Sequence, residues 1–197
     1  MVAGVRILAF AGSTRTGSFN KKLVKIAVAG AQAAGAEVTL IDLRDFPMPL
    51  YDVDLEASEG IPTQAKRFKE LMRSHAGLLL SCPEYNSSMT GVFKNAIDWA
   101  SRQEPGEAPL ACFTGKVATL MSASPGALGG LRGLVHVRAM LGNINVLVLP
   151  DQVAVPKAHE AFQPDGALKD PKQQAAIEQL GRSLAAMLAK LNSQASG

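Results

Sequence analysis

The nine-residue stretch Gly12-Ser13-Thr14-Arg15-Thr16-Gly17-Ser18-Phe19-Asn20 combines open backbone, hydroxyls and one guanidinium. It follows an apolar run, Val5–Ala11, that reads as a buried strand. It precedes Lys21–Gly35, which reads as helical. A polar loop between a strand and a helix N-terminus offers free backbone N–H groups and the positive end of a helix dipole to an anion. The hydroxyls and Arg15 add donors suited to a phosphate monoester. Gly12 and Gly17 have the separation of a Walker A loop, but Ser18 and Phe19 stand where that motif has Lys and then Ser or Thr. The loop is therefore read as a phosphate cradle that does not hydrolyse a nucleoside triphosphate. It is not G-x-G-x-x-G either, so the dinucleotide fingerprint is absent. Taken alone, the same residues also fit a surface turn with a helix cap.

Two further loops carry chemistry. Pro83-Glu84-Tyr85-Asn86-Ser87-Ser88 offers a stacking face on Tyr85, backbone donors, and the amide of Asn86. These suit the edge and face of a flat heteroaromatic ring. Ser122–Gly130 is rich in small residues, so backbone there comes close to a ligand. One phosphate plus one planar ring describes FMN. A dinucleotide needs a pyrophosphate site as well. Singly, the second loop reads equally as a capped turn and the third as a glycine-rich helix entry.

These loops need a frame. Short apolar runs recur at Val5–Ala11, Glu37–Asp42, Ala76–Cys82, Lys116–Met121 and Asn145–Leu149. They suit strands buried on both faces of a parallel sheet. Helical periodicity fills the gaps over Asn20–Ala34, Pro62–Ser74, Thr90–Arg102, Leu128–Leu141 and about Pro171–Leu191. Alternating units of this kind predict an α/β, flavodoxin-like three-layer sandwich with a five-stranded parallel sheet in the order 2-1-3-4-5. The chain is read as one domain over residues 1–197, with 192–197 a frayed, disordered tail. The connection Leu43–Gly60 is expected to be a long loop, a flap or an insert. In an open α/β sheet, ligands sit outside the carboxyl ends of the strands where strand order reverses, so the three loops are expected to meet there.

Net charge is +3, with no Lys/Arg block longer than two residues, so a nucleic-acid footprint is not expected. Cys82 and Cys112 lack C-x-x-C spacing and read as small core or inert residues. His75, His136 and His159 are far apart and suggest no metal site. No apolar stretch nears the roughly 20 residues that span a bilayer. The short N-terminal run holds Arg6 and leads into the phosphate loop, so it is not read as a signal peptide. No membrane insertion and a cytoplasmic location are expected.

The first loop resembles the G-S-x-R-x-x-S-x-N signature of the NADPH-dependent FMN reductase family. Pro83-Glu84-Tyr85-Asn86, followed by Gly91 and Lys94-Asn95-Ala96-Ile97-Asp98-Trp99, resembles its P-E-Y-N-x-S-x-x-G-x-x-K-N-A-I-D-W signature. Ser124-Pro125-Gly126 with Gly129-Gly130 resembles its third flavin loop, and similarity runs from about residue 5 to 155. The resemblance implies FMN at the switch point. Ser13, Arg15, Ser18, Phe19 and Asn20 would lie around the phosphate. Pro83, Glu84, Tyr85 and Asn86 would line the ring, with Ser124 and Gly126 in the third loop. It further implies NADPH or NADH as reductant, a quinone, flavin, azo or chromate-type small-molecule acceptor in a ping-pong cycle, and a homodimer or homotetramer. The flavin supplies the chemistry, so no catalytic side chain is assigned. Glu84 is tempting as a base but suits an anchoring or interface role better. A flavodoxin-type electron carrier and a flavin-binding regulatory protein remain as other readings of the same loops. The basic net charge speaks against a carrier that docks on basic partners.

Overall fold

Strands at the centre of a parallel sheet must be apolar on both faces, and three segments meet that demand. β1 (Arg6–Ala11), β3 (Gly77–Ser81) and β6 (Val117–Ala123) are buried along almost their whole length. β2 (Glu37–Ile41) and β7 (Leu147–Val155) are partly exposed and form the edges. In the computed structural model, which describes residues 4–194, the order is β2-β1-β3-β6-β7 and every pairing is parallel. This is the expected flavodoxin-like arrangement.

Alternation along β1 sorts the two cores. Ile7, Ala9 and Ala11 point to the layer of α1 (Phe19–Ala33) and α7 (Pro171–Gln194). Leu8 and Phe10 point to the layer of α3 (Thr63–Ser74), α4 (Gly91–Ala100) and α5 (Leu131–Asn143). α1 and α7 meet backbone to backbone. A Cβ on Gly30 would lie 2.0 Å from the Glu178 carbonyl oxygen, and one on Gly181 would lie 2.0 Å from that of Ala27. Only glycine fits at that crossing.

The structure departs from expectation at several points. The connection after β2 is not a bare loop: it forms a 3₁₀ turn at Leu43–Asp45 and helix α2 (Val53–Glu59). Asp52 caps α2 by accepting from the Asp54 and Leu55 amides. The second loop folds as a hairpin, β4 (Glu84–Tyr85) with β5 (Ser88–Met89), and its tip residues Asn86 and Ser87 have φ of 51° and 66°. Asn tolerates that left-handed region, which two-residue hairpins need. The fifth strand of the main sheet runs to Val155, beyond the expected Leu149. Pro150 breaks its pattern, and the register against β6 shifts there, from Ala118↔Val148 to Leu120↔Gln152. A proline is tolerated in an edge strand at such an irregularity. α5 begins at Leu131, since Gly129 and Gly130 carry φ of 62° and 94°. A short helix, α6 (Ala158–Ala161), precedes α7. The helix α7 continues through Gln194. Of the tail expected to fray, 192–194 are therefore helical, and 195–197 lie outside the described residues.

Candidate functional site

The carboxyl ends of β1, β3 and β6 bring the three loops together. Asn20, in the first turn of α1, is the pin. Its Oδ1 accepts from the Ser81 hydroxyl (2.9 Å) and the Ala123 amide (3.0 Å), and its Nδ2 donates to the Ala123 carbonyl (2.8 Å). The amide of Asn20 thus ties the first loop to the ends of β3 and β6, and its side chain is buried. The Gly12 amide donates to the Ser81 carbonyl, and the Thr90 hydroxyl donates to the Gly12 carbonyl (2.7 Å) while capping α4. A side chain at Gly12 would run into Phe93, with its Cβ 2.9 Å from that of Phe93.

Between these loops lies a cavity of ≈90 Å³ lined by Ser13, Arg15, Ser18, Phe19, Asn20, Pro83, Glu84, Tyr85 and Ser124. Nine of the eleven residues singled out from the sequence therefore share one wall. Asn86, at the hairpin tip, and Gly126, inside a turn closed by its amide on the Ser124 hydroxyl (3.2 Å), do not line it. Ala123 and Pro125 do, although no chemistry in their side chains marks them out. A second cavity of ≈270 Å³ shares Ser13, Arg15 and Tyr85 with the first and continues past Thr14 to Val92. Together they reach the lower end of the roughly 300–1,000 Å³ typical of small-molecule sites.

The donor set suits an anion. Ser18 is the N-cap of α1, yet its side chain makes no capping bond, and the first turn holds no acidic residue. The opening N–H groups of that helix have no intrahelical acceptor. The Ser13 hydroxyl accepts the Arg15 amide and keeps its own proton free. The Arg15 guanidinium lies 5.7 Å from the centre of the Phe19 ring and meets no carboxylate among the described residues. Thr16 is turned away, its hydroxyl taken by Arg44. Tyr85 stands 62% exposed. A phosphate beside Ser13, Arg15 and Ser18 and a flat ring beside Tyr85 and Pro83 fit this wall.

Glu84 is an anchor. Its carboxylate takes the Arg132 guanidinium at 2.6 Å and the Gly133 amide at 3.1 Å, closing the N-terminus of α5 against the second loop. Burial pushes its pKa up, but the Gly133 amide and Arg132 prevail and hold it below the ordinary carboxylate value. Two glycines allow this close packing: a Cβ on Gly133, in the first turn of α5, would sit 3.3 Å from that of Glu84, and one on Gly130, at the end of the third loop, would sit 2.0 Å from the Ser122 hydroxyl. Sequence reading missed Arg132 as its partner. No local signal exposes a pairing across 48 positions.

The Lys94–Trp99 segment fastens the flap instead of touching the cleft. Asn95 accepts the Tyr51 amide (2.8 Å) and donates to the Pro49 carbonyl (2.9 Å), which also takes the Trp99 indole N–H (2.8 Å). Arg102 pairs with Glu56 at 2.8 Å and lies over the Tyr51 ring. Lys94 pairs with Asp98 one turn along. Cys82 and Cys112 are buried, and burial raises both thiols, Cys112 to about 11. Among the described residues no helix is long and apolar enough to cross a membrane, and no three potential metal ligands gather.

Comparison with known proteins converges on one family. The model of the NADPH-dependent FMN reductase family matches residues 5–160. An NAD(P)H-dependent FMN reductase of Pseudomonas aeruginosa is 39% identical over 176 residues, covering 89% of this chain and 90% of that protein. A quinone reductase of Escherichia coli is 34% identical over 145 residues, covering 74% of this chain and 73% of its own. Among solved structures, the flavoenzyme NAD(P)H:(acceptor) oxidoreductase FerB of Paracoccus denitrificans superposes with a TM-score of 0.77 at 27% identity, over 94% of this chain and 97% of that one. An archaeal flavodoxin, at 10% identity and a TM-score of 0.61, shares the fold. With a family model across most of its length and the three loops brought to one cleft, this chain belongs to the NADPH-dependent FMN reductases, oxidoreductases working with FMN and NAD(P)H.

Proposed function

We propose that the cleft holds FMN and serves NAD(P)H and a quinone-type acceptor in turn at the same open face. The chemistry supplied by bound FMN is acceptance of a hydride from NAD(P)H and delivery of two electrons to the acceptor. The chain's part is binding and orientation. Ser13, Ser18 and the open turn of α1 take the phosphate, with Arg15 closing over it. Pro83, Glu84 and Tyr85 shape the ring wall, Ser124 borders it, and Asn20 fixes the three loops relative to one another. Asn86 and Gly126 act through the backbone shape of their loops. The observation that carries the reading is the uncapped, acid-free N-terminus of α1 beside Arg15, which lies over the Phe19 ring and meets no carboxylate among the described residues.

A shared face gives ping-pong kinetics. The 62% exposure of Tyr85 supports it. Initial rates with NADPH and a benzoquinone varied together are expected to give parallel double-reciprocal lines. Intersecting lines would mean that both substrates bind at once. The acceptor assignment is supported by the quinone reductase name of the E. coli relative; free flavins, azo dyes and chromate are the other acceptor classes to assay. A homodimer or homotetramer and a cytoplasmic location complete the proposal. Leu131 and Val135 stand exposed one turn apart on α5, with Leu128 just before it, an apolar strip suited to a second copy. Light scattering on the purified protein reads the assembly directly.

A further inference from the structure

The cavity beside the cleft adjoins a groove of ≈270 Å³ between the flap and α4, and Thr14 and Val92 line both. Leu43, Phe46, Val92 and Ala96 border the groove, with Met48 beside them. Leu43, Phe46 and Ala96 are otherwise core residues, each less than a tenth exposed. Two polar side chains at the rim already have partners. Asn95 uses its amide on Tyr51 and Pro49, and Arg44 donates to the Thr16 hydroxyl and to Asp42. What Leu43, Phe46, Met48, Val92 and Ala96 offer is apolar contact.

We infer that this groove seats an apolar substituent of the electron acceptor, whose redox-active ring lies in the adjoining cavity. The acceptor class is then an alkyl-substituted quinone. The inference rests on the proposed use of the neighbouring cleft. Its occupant follows from the lining: Thr14 and Val92 border both this groove and the adjoining cavity, and Leu43, Phe46, Met48 and Ala96 make the rest of the groove apolar. The overall exchange is unchanged: NAD(P)H, one proton and quinone give NAD(P)⁺ and hydroquinone. The groove decides only which quinone is used well. Met48 is the specificity residue that offers the cleanest test, because it is half-buried in the flap and borders this groove without reaching the phosphate or ring wall.

The test compares methyl-para-benzoquinone with pentyl-para-benzoquinone on the FMN-loaded protein. The wild type is expected to favour the pentyl compound in kcat/KM by at least about 10-fold, the scale on which added methylenes discriminate in an apolar pocket. Met48→Asp is expected to remove most of that preference while methyl-para-benzoquinone turnover stays within about twofold; Met48→Ala, which introduces no charge, should give an intermediate preference. A second readout needs no flavin reduction. Trp99 is the single tryptophan and lies one helical turn beyond Asn95 and Ala96. Its fluorescence in the flavin-free protein should be quenched saturably by the pentyl quinone, with about 10-fold weaker affinity in Met48→Asp. No preference for the pentyl compound in the wild type, or equal loss of both quinones in Met48→Asp, would overturn the inference. Failure of NAD(P)H to reduce the loaded protein would overturn the cleft reading instead, and saturable, Met48-dependent quenching would still support the groove.

Discussion

The Ser81 hydroxyl donates to Oδ1 of Asn20 at 2.9 Å, and this one amide also holds both polar groups of the Ala123 backbone. A residue that reads as a phosphate ligand in the sequence is the pin on which all three loops are set. Asn20→Ala would leave the Ser81 hydroxyl and the Ala123 amide and carbonyl buried without partners. The expected cost is roughly 3 kcal/mol, from about 1–3 kcal/mol per orphaned group with partial relaxation. That corresponds to a fall in Tm of about 6–12 °C for a chain of this size. Thermal melts of the flavin-free protein measure it. An unchanged Tm would show that the loops hold their places without the pin.

Arg15 offers the sharpest test of the phosphate cradle. A charge-assisted hydrogen bond is worth about 1.5–3 kcal/mol, so Arg15→Ala should weaken FMN binding by about 10- to 150-fold. Riboflavin has the same ring and no phosphate, so its affinity should stay within about threefold. Flavin fluorescence titrations of both ligands decide the matter. Equal losses for FMN and riboflavin would remove Arg15 from the phosphate and make it a ring contact.

The frame was readable from the sequence because its signals are local. Val5–Ala11 and Gly77–Ser81 are apolar at nearly every position, which only a doubly covered strand needs, and strand order followed from the alternation with helices. The loops were readable because glycine, hydroxyl and amide types cluster there. What escaped was set by distant partners. Asn20 looks like a ligand until Ser81 and Ala123 arrive from 61 and 103 positions away. The flap looks like a loop because its order comes from Asn95 and Trp99 on a helix more than 40 residues on, which take up the Tyr51 amide and the Pro49 carbonyl. Pro150 hid the second half of β7 because a register shift, not a pattern, accommodates it.

Glu84 makes stability depend on pH in a defined direction. Its folded pKa lies below the ordinary value of 4.5, because the Gly133 amide and Arg132 outweigh burial, which acts the other way. Its contribution is therefore fully present above that ordinary value and is lost as pH falls through the folded pKa. Glu84→Gln should be less stable than the wild type by about 1–2 kcal/mol at pH 7. The gap should close as pH drops below 4.5. Urea unfolding of both proteins at several pH values measures the gap. A gap that does not change with pH would mean that the carboxylate's charge is not what holds the loop to α5.

The two thiols should be inert. Burial raises both, Cys112 to about 11, so little thiolate exists at neutral pH. The native protein is expected to resist iodoacetamide at pH 8 under conditions that alkylate both cysteines once it is unfolded in guanidinium. Mass spectrometry of the products is sufficient. Rapid modification of Cys82 in the native protein would reveal an opening of β3 that this structure does not contain.

The most direct test of the whole account is an anaerobic visible spectrum of the FMN-loaded protein before and after addition of NADPH. The account predicts that FMN is retained through gel filtration and that its absorption bands bleach rapidly on mixing. Retained flavin that stays oxidised with both NADPH and NADH would contradict it and leave an electron carrier in its place. A protein that retains no flavin would break the reading of the three loops as one site.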